Sequence, residues 1–353
     1  MATMDIGIPR FYPDLINFLM TTGTAQNGNF DVMSGSDLIS TYVKGSEAEL
    51  FDLRPINTVT FNTTASASVQ ADHVLVRINK QTASWQTDYI AILNHNMSTA
   101  KAKIRVNSSD TASDVQVADM GGNAITNVTE IVNADTISNN VIIPDDDGST
   151  IFTFDATDDL YYGIQFEGTD NQGSTTANNG DFDGSENLRI GCIMFGEHYT
   201  MPHAPDVTLK RTIVFDGVNV QESLGGQKFG NATHLGRRYK NTKNKSPFLL
   251  ATAPSEVYGG RINYDLNFSY LQSNKIMPSF YHAENEASET VVSDLWNRTK
   301  GNLFPFIFHV DSSETGLKAE QYLTFSRFAQ DGLVTNQVSN GIWNINLKIE
   351  EEF

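Results

Sequence analysis

Residues 261–271 read RINYDLNFSYL, and they alternate from Arg261 to Tyr270. Ile262, Tyr264, Leu266, Phe268 and Tyr270 fall on one face, with Asn263, Asp265, Asn267 and Ser269 on the other. A period of two marks a strand buried on one face, because successive side chains point to opposite sides of the sheet. Residues 341–353 repeat the pattern, setting Trp343, Ile345, Leu347 and Ile349 against Asn344, Asn346, Lys348 and Glu350.

Working outward, short strand-like runs at 59–61, 74–78, 89–93, 101–106, 141–143, 151–154 and 161–166 are separated by clusters rich in Asn, Asp, Gly, Ser and Thr. Many short strands at this spacing predict a β-sandwich. The fold class is therefore mainly β, with two β-rich domains. One is an N-terminal jelly-roll-like sandwich. The other is a C-terminal sandwich or barrel-like domain with one or two short helices. A helix is expected over 11–22, with Pro13 in its first turn and Gly23 as its stop. A second is expected over 289–300, capped by Ser288 and ended by Gly301. The stretch 22–45 reads as a polar arm, and Asp216-Gly217 as a two-residue hairpin turn joining 208–215 to 218–222.

The domain seam is expected within LRIGCIMFGEHYTMPHAPD, residues 188–206, which ends in a Pro-X-X-Pro break. The charge divides there. Residues 1–205 hold 26 Asp+Glu against 9 Lys+Arg, and the rest 16 against 15, within a total of −18. The expected division is 1–45 for the helix and arm, 46–205 for the acidic sandwich and 206–353 for a β-rich docking domain. Such acidity disfavours nucleic acid and anionic membranes as partners, since both need Lys and Arg. No apolar run approaches the ~18 residues of a membrane span, and 1–14 lacks the pattern of a secretory signal.

No catalytic site is expected. There is no G-x-S-x-G elbow and no P-loop. Cys192 sits among Ile190, Ile193, Met194 and Phe195, as an inert buried thiol would. His198 and His203, with Glu197 and Asp206, lack a zinc motif's spacing. Asn179, Asp181 and Asp183 match the first half of a calcium loop, with Gly184 at its sixth position. Ile190 replaces the closing glutamate, so a plain surface turn competes with a weak Ca2+ site. No other cofactor is expected. Asp145–Asp147 form a second acidic turn. Arg237, Arg238 and Lys240 lead the one basic cluster, which reads first as a solvated loop; as a binding element it would suit phosphate, sugar acids or contact with the acidic module of a neighbouring subunit.

YIAILNHN (89–96) followed by 102–106 resembles the opening strands of galactose-binding-like jelly rolls in tailed-phage tail proteins. Residues 188–206, 260–271, NLFPFIFHV (302–310) and 341–353, in that order, resemble segments of uncharacterised cyanophage and marine phage structural proteins. The resemblance implies a virion location, in the tail at its baseplate or tip, after synthesis in the host cytoplasm. It implies other tail or baseplate proteins and further copies of the chain as partners. The alternative is a carbohydrate-binding module for host-surface glycans, with Trp85, Tyr161 and Tyr162 as stacking platforms. A glycan-degrading depolymerase is disfavoured, because the long repetitive β-structure usual in such enzymes is missing from the sequence.

Overall fold

The structure is a computed structural model that describes residues 6–22, 30–34, 37–64, 68, 70, 73–80, 85–115, 123–138, 140–168, 182–215, 218–232, 238–239, 257–258, 260–277 and 290–352. Strands dominate, and every assigned strand pair is antiparallel. The mainly β expectation is met, and each strand-like run named above contains an observed strand.

Three sheets lie in layers. The outer sheet runs Asp135–Ser138, Val141–Ile143, Ala102–Ser109, Tyr161–Gly168, His73–Asn79, Phe30–Ser34 and Asp37–Leu38, with Asn123–Ala124 beside Ala102–Ser109. The middle sheet runs Cys192–Gly196, Thr87–His95, Gly148–Thr157 and Thr129–Val132. From His73 to Gly196 the chain crosses repeatedly between these two, which is jelly-roll-like connectivity. The third sheet runs Tyr199–Thr200, Arg10–Pro13, Phe306–His309, Leu323–Phe328, Ile342–Glu351, Arg261–Gln272 and Lys210–Val214, with Thr335–Ser339 also on Ile342–Glu351.

The middle sheet is buried on both faces. Ile90, Ile92, Phe152, Ile193 and Phe195 pack with Val76, Ile104 and Ile164 of the outer sheet. Tyr89, Ala91, Leu93, Ile151, Cys192 and Met194 pack the other way, on Tyr12, Ile307, Leu323 and Phe325 of the third sheet. A strand apolar at every position can bury itself only in such a central layer. The far face of the third sheet forms another core, where Phe11, Tyr264, Leu266, Phe268, Phe306, Phe308 and Leu347 lie with Ile276, Val291 and Leu295.

Several expectations are corrected. The first helix starts at Leu15, not at residue 11: Phe11, Tyr12 and Pro13 belong to strand Arg10–Pro13. Pro13 is tolerated because Tyr199–Thr200 pairs only with Arg10 and Phe11, so no ladder bond is lost there. Asp14 then caps the helix, accepting the Asn17 N–H at 2.8 Å. The expected arm contains Phe30–Ser34, which pairs with His73–Asn79 and buries Val32. The second helix is a π-helical turn over Val291–Asn297, while Ser288 lies outside the described residues. Gly301, at φ +68°, follows its final turns.

The hairpin assigned to Asp216-Gly217, residues themselves outside the described set, is not formed by its flanking strands. Lys210–Val214 pairs with Arg261–Gln272, and Val218–Glu222 pairs with Lys228–Ala232. The tight turn lies at 223–227, where Gly226 takes φ +81° and its N–H donates to the Ser223 carbonyl. In Arg261–Gln272 a bulge between Phe268 and Leu271 breaks the alternation. Tyr270 takes φ +63° and is 78% exposed, and Leu271 is buried in its place.

Candidate functional site

Within 188–206, the stretch expected to hold the seam, a Cβ at Gly191 would stand 2.3 Å from the Pro55 carbonyl oxygen and 2.8 Å from that of Leu93. Only glycine lets the chain pass into Cys192–Gly196. Beyond Gly196 the backbone leaves the core and presents Glu197 and His198 at the edge of the stack. Glu197 Oε2 accepts from Arg298 Nη2 at 3.0 Å. The Arg298 guanidinium also lies 3.9 Å from Asp294 Oδ1 and 4.7 Å over the Trp85 ring. Lys300 Nζ sits 4.7 Å over Phe18. His198 Nδ1 is 2.8 Å from Asp88 Oδ2, an ion-pair contact without a directed ring hydrogen bond, and its backbone N–H donates to Asp88 Oδ1. Burial pushes the Glu197 carboxyl above its ordinary range, while Arg298 pulls it back. Opposite charges and aromatic faces here join residues far apart in sequence.

The four residues weighed for zinc are held separately. Glu197 is on Arg298, His198 on Asp88, His203 Nδ1 2.7 Å from the Ala204 carbonyl, and Asp206 accepts from Ser269 Oγ at 2.7 Å. Among the described residues no three His, Cys, Asp or Glu side chains cluster as metal ligands. Cys192 is fully buried, and burial pushes its thiol well above the ordinary range.

Of the calcium candidates, Asn179 and Asp181 lie outside the described residues. Asp183 uses Oδ1 to accept from the Ser185 backbone and hydroxyl, and Oδ2 lies 3.5 Å from Lys101 Nζ. Arg237 and Lys240 also lie outside the described residues, and Arg238 contributes backbone to a two-residue ladder with Tyr258. Two aromatic platforms are core residues as well. Trp85 packs edge-on to Phe18 beneath Arg298, and Tyr162 packs on Phe195 beside Lys80.

Sequence reasoning missed a charged group on the outer sheet. Alternation in Ala102–Ser109 leaves Lys103 and Arg105 facing solvent, yet both are buried with Glu167. Arg105 Nε and Nη2 each stand 3.0 Å from Glu167 Oε1, and Lys103 Nζ lies 3.9 Å from it. The available signal was Gln165 and Glu167, two polar positions in register on the next strand.

One surface stands apart. Val218–Glu222 and Lys228–Ala232 form a two-stranded ribbon that belongs to none of the three layers. Residues 218–231 are exposed throughout, including Val218, Val220, Leu224 and Phe229. Ile213 and Phe215, just before it, are exposed too. Lys210–Val214 is the end strand of the third sheet.

No family model and no curated protein matches the chain. Two solved structures are similar to part of it, both of chitosan-binding module 1 from a chitosanase/glucanase of Paenibacillus sp. IK-5. A selenomethionine-labelled point mutant of the module is 11% identical, with TM-score 0.29 over 53% of this chain and 99% of the module. The other is 13% identical, with TM-score 0.29 over 49% of this chain and 98% of the module. Similarity at that level carries no functional weight.

Proposed function

We propose that the chain is a structural component of a bacteriophage tail, at the baseplate or tail tip, which assembles with tube, hub or fibre proteins through protein–protein contacts. The observation that carries this reading is the exposed ribbon. A lone two-stranded ribbon is at best marginally stable in water, and at least a third strand or a packed surface is needed to hold it. Exposed Val218, Val220, Leu224 and Phe229 are what a binding partner would cover. Three sheets stacked on shared cores form a stiff body from which such an element can act mechanically. The sequence resemblance adds the virion location, and the partners are tail proteins and further copies of the chain.

Mass spectrometry of purified virions tests the proposal, together with antibody labelling of the particle. The chain is expected among the virion proteins, with label at the tail. Its absence from the particle would overturn the reading. Recognition of host-surface glycans is the alternative, and it requires a platform other than the buried Trp85 and Tyr162. Saturable binding on a glycan array would favour it.

A further inference from the structure

We propose that the open polar face of the third sheet binds an uncharged glycan, with the Tyr270 ring as its stacking platform. On the side of this sheet that meets the middle sheet, Ile307, Leu323 and Phe325 are covered. Register carries the same side through Arg327 and Glu350 onto Ile342–Glu351, and from there onto Arg261–Gln272. There the face turns polar and opens to solvent. Asn346 stands opposite Asn267, Glu350 opposite Asn263, and Asn336 of Thr335–Ser339 opposite Asn344. Asn336 is exposed and the other four asparagines are half-buried. Asparagine is depleted in strands, and a merely solvated face has no need of it. Five on one face run against that local preference, and departures of this kind concentrate at functional positions.

The amides are held in order. Asn346 Nδ2 donates to Asp265 Oδ1 at 2.5 Å and to Asn267 Oδ1 at 2.7 Å, and Asn267 Nδ2 donates to Thr208 Oγ1 at 3.2 Å. The bulge sets Ser269 and Tyr270 together opposite Asn344, whose Oδ1 accepts the Tyr270 N–H at 3.1 Å. That bond holds Tyr270 in its left-handed backbone with the side chain in solvent. It leaves the Asn344 amide N–H groups without a partner among the described residues. Bulges re-aim side chains beside binding sites in this manner. Packing does not account for a strained residue whose ring faces water.

The chemistry selects the ligand. A carboxamide offers both donor and acceptor, as a sugar hydroxyl requires, and a tyrosine ring offers an apolar face to the C–H side of a pyranose. Charges on this face nearly cancel. Asp265 stands between Lys210 and Lys348 in register, and Arg261 Nη1 lies 3.7 Å from Glu350 Oε1. With a net charge of −18 on the chain, that balance disfavours an acidic polysaccharide. A protein partner would meet an apolar centre, and here the centre is amide. The inference supplies the platform that the glycan reading requires, and it does not depend on the tail location.

The test applies the full chain to an array printed with uncharged and with acidic oligosaccharides. Saturable binding is expected on uncharged glycans and not on acidic ones. Tyr270→Gly suits the left-handed backbone, removes the ring, and should weaken that binding about 10-fold. Tyr270→Phe should retain most of it. Asn336→Ala should weaken it as well, and Val220→Asp in the ribbon should leave it unchanged. Unchanged circular dichroism of each variant separates lost binding from lost fold. No binding to uncharged glycans, binding confined to acidic ones, or binding indifferent to Tyr270→Gly and Asn336→Ala would overturn the inference. So would an oligomer in sedimentation that these two substitutions dissociate, which would assign the face to a second copy. Presence in virions without glycan binding keeps the tail reading and removes this site; glycan binding by a chain absent from virions does the reverse.

Discussion

Arg298 Nη2 stands 3.0 Å from Glu197 Oε2, joining the turn after Val291–Asn297 to the residue that follows Cys192–Gly196. The two are separated by 101 positions, and the Arg298 side chain is 4% exposed. The arginine end is further held, because Asp294 and Trp85 flank the same guanidinium.

Removing the cation leaves the Glu197 carboxylate without its ion-pair partner, while Asp294 still accepts from the Thr290 N–H. Arg298→Met should cost about 3–5 kcal/mol, the scale for breaking a buried pair from one side. Adding Glu197→Gln should recover part of that loss. Urea denaturation of the variants is the measurement, and a single variant within ~0.5 kcal/mol of wild type would show the clamp to be inert.

His309 supplies a pH dependence. It is fully buried, neither ring nitrogen has a hydrogen-bond partner among the described residues, and burial, then Arg10, lowers its pKa to about 4. The folded state thus binds a proton less readily than the unfolded state. Stability is retained above the ordinary histidine pKa of about 6.5 and is lost as pH falls from there to about 4, by ~3 kcal/mol in all. Asp14 works in the opposite sense. Burial raises it to about 6, so the folded state gains stability as pH falls from there toward the ordinary aspartate value. Comparing wild type with His309→Leu isolates the histidine: the difference between their melting temperatures should change between pH 7 and pH 4. Parallel curves would remove His309 from the account.

Tyr270 holds a left-handed backbone at φ +63°, and its N–H donates to Asn344 Oδ1 at 3.1 Å. Its side chain is 78% exposed. Tyr270→Gly should therefore be neutral or stabilise by up to ~1 kcal/mol, because strain is relieved with little lost packing. Deleting residue 270 removes the extra residue of the bulge and should keep Leu271 on the core face opposite Trp343, so the third sheet should lose little. Thermal melts of both variants decide the point; a large loss on deletion would contradict that register.

Cys192 should be inert toward a thiol reagent at pH 8 in the folded chain and should react once in denaturant, since its thiolate is disfavoured by burial. Labelling before unfolding would contradict the central-layer packing.

The strands were legible because period-two patterning is local. Alternation along 261–269 and 342–350 survives in the sheet, since each residue's face follows from its neighbours alone. The candidate site was far less legible. Trp85 and Tyr162 read equally well as platforms or core, and only the packing of Phe18 and Phe195 against them decides for core. Alternation along 102–106 would turn Lys103 and Arg105 to solvent, yet Glu167 accompanies both in the interior.

By itself the sequence determined that this chain is built of strands, that residues 190–196 are buried, and that its acid is concentrated before residue 206. A run apolar at every position says that both faces of a strand are covered and leaves open what covers them. The tertiary structure alone decided that Cys192 and Met194 meet Tyr12 and Ile307 while Ile193 and Phe195 meet the outer sheet. It decided likewise that Arg10–Pro13 joins a sheet built mainly from residues after 206, and that the ribbon at 218–232 stands outside every layer. Those outcomes depend on contacts between distant segments, whose free energy comes from surfaces matched only when the sheets are stacked.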